Sequence, residues 1–199
     1  MTRQTAAPFD HVSLNPSFQS ARWLARRVAE GEIDANPSYQ RGGVWTDDQR
    51  IALVQTWLRG LPAGVVILAD RCNRKWADAN PGNDPYDTGQ GIWAVVDGKQ
   101  RLTTAVMWFG SEFAIPASWL PADHVDVTED TNDGPYVRHN GLTLKGQRFM
   151  ERYCSLLVAE TKDCATEADE AAFYLLVNGG GTPQSGADMA NAARVTTGK

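Results

Sequence analysis

The chain has 199 residues, of which 42% are hydrophobic and 22% charged, which excludes a disordered or fibrous protein. A formal net charge of −5 argues against capture of nucleic acid over the whole surface, although it leaves room for a local basic groove. No apolar run is long enough to span a membrane, and the N-terminus lacks the apolar segment of a secretory signal, so we expect a cytoplasmic protein with free thiols at Cys72, Cys154 and Cys164.

Hydrophobic periodicity and turn residues predict helices and strands that are interleaved without strict alternation. The predicted elements are, in chain order, a helix at 18–29, a loop at 36–45, a helix at 47–59, a strand at 65–68, a long exposed loop at 71–91, a strand at 92–96, a helix after Gly98, short strands near 112–115, 124–127 and 136–138, a helix at 145–152, a strand at 155–159, and helices at 166–176 and 184–193. Ser17 is predicted to cap the first helix, and Thr46 and Gln49 have the spacing of a capping box before the second. We expect an α+β fold in one domain over 1–199, with flexible ends at 1–11 and 194–199.

The sharpest chemical feature is the junction at 97–101, where a buried strand ends and a helix begins. The first turn of a helix presents backbone N–H groups that attract anions, and Gly98 has no side chain to keep a phosphate away. Lys99 and Arg101 add positive charge, and Asp97 is suited to hold magnesium or orient a water. A structural interpretation stays open, in which Asp97 caps the helix and Arg101 pairs with a carboxylate.

The loop at 39–45 combines aromatic, amide and guanidinium side chains in Tyr39, Gln40, Arg41 and Trp45. A guanidinium beside two aromatic rings suits stacking on a nucleobase together with a bidentate phosphate contact. The alternative is that Tyr39 and Trp45 anchor the loop to the core while Arg41 forms a surface ion pair.

Two further segments have a functional and a structural interpretation. The run at 178–182 contains three consecutive glycines, which suit a backbone nest for phosphate or a helix C-cap with a flexible turn. The segment 71–76 interleaves positive charges with an aromatic ring and is a candidate contact for a nucleic-acid backbone. Because Asp78, Asp84 and Asp87 cancel its charge, we interpret it as a solvated loop.

Three of these segments match, in order, the motifs of one family. Residues 36–45, Asn-Pro-Ser-Tyr-Gln-Arg-Gly-Gly-Val-Trp, resemble a Pro-x-Tyr-Gln-Arg-x-x-Val-Trp entry motif. Residues 97–103, Asp-Gly-Lys-Gln-Arg-Leu-Thr, resemble an Asp-Gly-Gln-Gln-Arg-Leu-Thr signature, and residues 178–183, Asn-Gly-Gly-Gly-Thr-Pro, resemble an Asn-Thr-Gly-Gly-x-Pro loop. The chain thus resembles the GmrSD-type N-terminal domain of the ParB/sulfiredoxin-like superfamily, from about residue 12 to residue 193.

The resemblance implies an α+β ParB-like fold, with a small mixed sheet flanked by helices, around a pocket that binds or hydrolyses nucleoside triphosphates with Mg²⁺. It also implies a role in phage-defence systems that act on modified DNA. By position, the catalytic or phosphate-contacting side chains would be Asp97, Gln100, Arg101 and Arg41, with Asp97 also the metal ligand. The remaining ligand-binding residues would be Tyr39, Gln40, Trp45, Gly98, Lys99, Thr103, Asn178, Gly179, Gly180 and Gly181.

The chain departs from the family pattern at Lys99, where Gln is usual, at Gly179, where Thr is usual, and before Asn178, where an Arg is usual. We expect no C-terminal nuclease domain of the kind that family restriction enzymes carry, and we therefore expect sensing or switching rather than cutting. Our first hypothesis is a Mg²⁺-dependent NTPase acting in DNA modification, restriction, phage defence or counter-defence. The alternatives are a catalytically silent DNA- or protein-binding module and a small DNA endonuclease that uses the same motif. Expected partners are a nucleotide, DNA at a local basic loop, and a protein partner or second copy, with no membrane.

Overall fold

The computed structural model describes residues 6–8, 11–12, 14–40, 45–179 and 186–197, with the backbone alone for 186–191. The strands are β1 Ser17–Ser20, β2 Ile33–Asp34, β3 Val65–Asp70, β4 Trp93–Asp97, β5 Ile115–Pro116, β6 Glu129–Thr131, β7 Gly134–Val137 and β8 Ser155–Thr161. The helices are α1 Ala21–Ala29, α2 Asp47–Leu58, α3 Arg74–Ala79, α4 Pro85–Thr88, α5 Lys99–Phe109, α6 Leu144–Tyr153, α7 Glu167–Gly179 and α8 Gly186–Thr197. Short 3₁₀ turns lie at Ala117–Trp119, Ala122–His124 and His139–Gly141.

A mixed five-stranded sheet in the order β1-β8-β3-β4-β2 organises the domain. The β1–β8 and β3–β4 pairs are antiparallel, whereas β3–β8 and β2–β4 are parallel. A smaller antiparallel sheet, β5-β7-β6, lies beside it. The α+β prediction is therefore confirmed for the described residues, which form one compact domain.

Both faces of the large sheet are covered, as alternation along its central strands shows. Val66 and Leu68 of β3 belong to the main core, which α1, α2 and α5 complete with the buried rings of Trp57 and Trp108. The intervening residue Ile67 belongs to a second cluster on the opposite face, where α7 and α8 pack. Successive side chains of a strand point to opposite faces, so apolar residues at consecutive positions fit a sheet that is buried on both sides.

The start of α2 confirms the capping box. The Thr46 hydroxyl accepts a hydrogen bond from the Gln49 amide at 3.4 Å, and the Gln49 side-chain oxygen accepts one from the Thr46 amide at 2.9 Å. The predicted start of the first helix is wrong, because Ser17–Ser20 pairs with β8 and the helix begins after Ser20, whose hydroxyl caps it. Phe18, expected on the buried face of that helix, is 67% exposed on β1.

The prediction of a long exposed loop at 71–91 is also wrong. It contains α3 and α4, and Trp76 on α3 is buried. Asn73 caps α3 by accepting from the Trp76 amide at 3.0 Å. The strand expected near 124–127 is replaced by a 3₁₀ turn and one isolated bridge between Val125 and Leu142. In the described ranges no helix is long and apolar enough to cross a membrane.

Candidate functional site

The junction between β4 and α5 requires a glycine. Gly98 is the N-cap residue of α5, has φ +90°, and makes no side-chain cap hydrogen bond. A Cβ atom at this position would lie 2.8 Å from Cγ2 of Val66 on β3. Glycine is needed here for its backbone conformation and for its lack of volume, because the start of α5 packs directly against β3.

Arg101 is anchored beside this glycine. Its Nη1 donates a hydrogen bond to the carbonyl oxygen of Val65 at 2.9 Å and lies 3.6 Å from Oδ2 of Asp97. Its guanidinium also packs on Gly64, where a Cβ would lie 2.9 Å from Nη2. About a quarter of the side chain stays exposed (24%), so the cation is fixed in place and still reachable. The structural interpretation of the junction holds in one respect, the Asp97–Arg101 ion pair, and fails in another, since Gly98 and not Asp97 occupies the N-cap position.

The entry loop is attached to β4 just before Asp97. Nε2 of Gln40 donates to the carbonyl oxygens of Val95 at 2.8 Å and Val96 at 2.6 Å. The Tyr39 hydroxyl donates to the Val95 carbonyl at 3.2 Å, and the whole residue is buried. Burial and the nearby charge of Glu170 raise the pKa of this hydroxyl. In this conformation Tyr39 anchors the loop to the core, and its ring is closed to a nucleobase.

A second contact joins the entry loop to the signature. The backbone N–H of Trp45 donates to Oε1 of Gln100 at 3.1 Å, while the half-buried Trp45 packs against the main core. Lys99 and Thr103 are half-buried on the first turns of α5. The structure thus brings together two segments that lie more than fifty residues apart in the chain.

The third motif begins at the end of α7. Asn178 Nδ2 donates to the carbonyl oxygen of Tyr174 at 2.9 Å, and the ring of Tyr174 lies 5.9 Å from that of Tyr39. Gly179 is exposed as the last residue of α7. Arg41, Gly180 and Gly181 lie outside the described residues.

Sequence reasoning missed a buried ion pair that joins the end of β3 to α7. Nε and Nη2 of Arg71 each donate to a carboxylate oxygen of Glu170 at 2.7 Å, and both side chains are almost fully buried (2% and 0% exposed). Arg71 also contacts Asp34 at 3.3 Å, and the Ser38 hydroxyl donates to Glu167 of α7 at 3.2 Å. The one available signal was the position of Glu170 four residues before Tyr174 on the apolar face of a predicted helix.

The segment 71–76 is therefore not simply a solvated loop. Arg71 and Trp76 are buried, with the guanidinium carbon 5.1 Å from the centre of the Trp76 ring. The two exposed cations are paired, Arg74 with Asp78 at 3.6 Å and Lys75 with Asp163 at 2.7 Å. The positive charges of this segment are therefore neutralised by carboxylates of the protein itself.

The chain matches the family model described as GmrSD restriction endonuclease, N-terminal domain, over residues 25–194. It belongs to this family. No curated protein and no solved structure matches the chain significantly. The family identified from three short motifs is confirmed, and membership associates this GmrSD N-terminal domain with DNA restriction.

Proposed function

We propose that this GmrSD N-terminal domain binds a nucleoside triphosphate at the β4–α5 junction and hydrolyses it in a Mg²⁺-dependent reaction, within a restriction or phage-defence system. One observation carries the proposal: a helix start with a glycine that tolerates no side chain lies directly beside an anchored, partly exposed arginine. Helix N-termini favour anions, and a close-packed glycine lets a phosphate approach the backbone.

In this proposal different residues of the chain have different roles in binding the triphosphate. Arg101 and Lys99 neutralise phosphate oxygens, and Gln40 holds the entry loop against β4 so that Arg41 can close over the ligand. The run from Asn178 to Gly181 completes the backbone cradle in this proposal. Because Val65 and Gly64 fix the guanidinium of Arg101 in advance, little side-chain entropy is lost when phosphate binds.

The residues fit a magnesium ion that is held mainly by phosphates. Among the described residues no group of three His, Cys, Asp or Glu side chains is arranged to hold a metal. Mg²⁺ often binds through only one or two carboxylates plus phosphate oxygens and waters, so Asp97 suffices as the protein ligand. When bound, the ion would neutralise charge on the β- and γ-phosphates.

Hydrolysis at this site is an in-line displacement. A water attacks the γ-phosphorus, the bond from that phosphorus to the β,γ-bridging oxygen breaks, and the products are a nucleoside diphosphate, inorganic phosphate and a proton. Asp97 orients the water, and Arg101 stabilises negative charge on the equatorial oxygens of the transferring group. Removing one such charged donor typically costs about 3 kcal/mol of transition-state stabilisation.

The ion pair between Arg101 and Asp97 favours a second candidate, a catalytically silent binding module. In the present conformation the two side chains form an ion pair at 3.6 Å, so both charges are neutralised without a ligand. In this second function the junction is a scaffold or binds nucleotide without turnover.

The test is magnesium-dependent binding and hydrolysis of ATP, GTP, CTP and UTP by the wild type and by Arg101→Ala and Asp97→Asn. Arg74→Ala is a matched control, since Arg74 is an exposed, ion-paired arginine beyond the opposite end of β3. Loss of turnover in both site variants but not in the control supports the NTPase. Binding without turnover selects the silent module, and unchanged hydrolysis by Asp97→Asn or no binding of any nucleotide contradicts the proposal.

A further inference from the structure

Positive charge is concentrated on α1 and α6 although the chain carries a net charge of −5. These two helices together contain six cations and one carboxylate, that of Glu151. The cations are Arg22, Arg26, Arg27, Lys145, Arg148 and Arg152. The helices meet at one point, where the Ala21 amide donates to the Cys154 carbonyl at 2.9 Å and Arg22 pairs with Glu151. Carboxylates at or beyond the helix ends pair with three more of these cations, Arg26 with Glu30, Arg27 with Glu32 and Lys145 with Asp123. Among the described residues, the uncompensated positive charge of this face therefore lies on Arg148 and Arg152.

The exposed face of α6 carries a row of cations. Lys145, Arg148 and Arg152 follow one another at helical spacing, on the side opposite the buried Gly146 and Met150. Lys145 pairs with Asp123, whereas neither Arg148 nor Arg152 forms an ion pair with any residue that the structure describes. Arg152 lies in the last turn of α6, where a cation interacts favourably with the helix C-terminus. Neighbouring like charges destabilise an isolated helix, so the cation at Arg148 is not explained by the stability of α6.

An aromatic groove lies at the end of this row. It has a volume of about 210 Å³, and its walls come from the edge strand β1, the C-terminus of α6 and the segment after α2. Phe18 is 67% exposed and Tyr153 is 47% exposed. The lining residues are Phe18, Trp57, Gly60, Leu61, Pro62, Tyr153 and Ser155. Exposed aromatic rings beside unpaired arginines are the combination with which proteins bind single-stranded nucleic acid.

We propose that the α6 row and the aromatic groove together bind single-stranded nucleic acid. Arg148 and Arg152, about 6 Å apart along the helix, contact successive phosphates, and a base stacks on the exposed ring of Phe18 in the groove. The neighbouring Tyr153 ring already packs on Phe149, with 4.5 Å between the ring centroids. An acidic protein segment would use the arginines but would gain nothing specific from the exposed rings. A duplex would keep its bases stacked and out of the groove.

This surface lies at the same end of the large sheet as the β4–α5 junction. The groove residues Leu61 and Pro62 precede Gly64, on which Arg101 packs. The inference does not depend on nucleotide hydrolysis, because strand binding and triphosphate turnover are measured separately and can fail separately.

The test is fluorescence anisotropy of the full chain with a fluorescein-labelled oligothymidylate of about 20 nucleotides, in salt from about 50 to 200 mM. We expect Arg148→Gln/Arg152→Gln to weaken binding at least tenfold at low salt. The slope of log K against log salt should fall by about 1.4, which is about 0.7 for each phosphate that the variant no longer neutralises. Phe18→Ala should weaken binding at least fivefold with an unchanged slope, because stacking releases no counterions.

The matched control is Arg74→Gln/Lys75→Gln, which removes the same charge from the segment 71–76 and should leave binding unchanged. Because Arg148, Arg152 and Phe18 are exposed, these variants are expected to fold, and circular dichroism checks this. The proposal is overturned if the Arg148/Arg152 variant binds like the wild type, if the control loses as much affinity, or if a duplex of the same length binds more tightly and Phe18→Ala has no effect.

Discussion

The buried pair of Arg71 and Glu170 gives the sharpest test of the packing described above. Arg71→Met removes the cation and leaves a carboxylate that has no solvent exposure and keeps the neutral Tyr39 hydroxyl as a hydrogen-bond partner in place of a cation. Breaking a buried ion pair from one side typically costs about 3–5 kcal/mol, since the remaining charge is uncompensated. Domains of this kind have a total stability of about 5–15 kcal/mol, so the variant should be much less stable but still able to fold.

The double variant Arg71→Met/Glu170→Leu separates the charge effect from the loss of packing. Replacing both partners by apolar groups removes the uncompensated carboxylate, so most of the loss should be recovered. The recovery of stability should be incomplete, because the Gln90 carbonyl and Asp34 each lose a hydrogen-bond donor. We therefore expect the double variant to lie about 1–3 kcal/mol below the wild type and above Arg71→Met.

Urea unfolding followed by circular dichroism measures all three free energies, with unchanged m-values as the check that the unfolded states are comparable. Arg74→Met is the matched control, and it should change stability by no more than about 0.5 kcal/mol because its ion pair with Asp78 is exposed. A loss below about 1 kcal/mol for Arg71→Met, or a double variant no more stable than Arg71→Met, would refute the reasoning.

Three further predictions concern single sites. Gly98→Ala should destabilise the domain by about 2–4 kcal/mol in urea unfolding, because it forces φ +90° on alanine and places a methyl group 2.8 Å from Cγ2 of Val66; a loss under about 1 kcal/mol would show that β3 yields easily. Thr46→Ala should lower stability by about 1 kcal/mol by removing the α2 cap, and Thr46→Ser should restore most of it. Burial lowers the pKa of His139 from 6.5 to about 4, so the unfolded chain takes up a proton at a higher pH than the folded one. The free energy of unfolding should therefore fall by up to about 3 kcal/mol as the pH drops through that window. His139→Gln should flatten this dependence, and an unchanged pH profile would contradict the assignment.

Local chemistry in the sequence predicted the elements that carry the signature. The apolar runs of β3 and β4, the capping box at Thr46 and the helix after Gly98 depend on neighbouring residues, so they can be found in a short window of sequence. The pairing of β1 with β8 could not be predicted in this way, because Phe18 pairs with Leu157 and no local pattern encodes that register.

The same limit applies to the segment 71–91. Its turn residues predict a loop, but Arg71 is buried by a partner ninety-nine residues later in the chain. The same guanidinium lies 5.1 Å from the centre of the Trp76 ring on α3, so the contacts that order this segment include one that no local pattern encodes. The resemblance to the family motifs implied that the entry loop and the signature share one pocket, and the structure shows that the Trp45 amide and the Gln100 side chain join these two segments.

The two halves of the candidate site rest largely on different hydrophobic clusters, which lie on opposite faces of β3 and β4. Gly98 and Arg101 are positioned by β3 and by the main core beneath α5, whereas Tyr39 lies in the second cluster with Tyr174 of α7. Loosening the second cluster should therefore free the Tyr39 end of the entry loop, while Trp45 stays on the main core and Arg101 keeps its contact with the Val65 carbonyl. For a ligand held by both halves, Arg71→Met/Glu170→Leu should weaken binding without abolishing it, and Arg101→Ala should still weaken binding in that background. If instead the Arg71/Glu170 variant loses all binding while it remains folded, the entry loop and not the β4–α5 junction provides most of the binding energy.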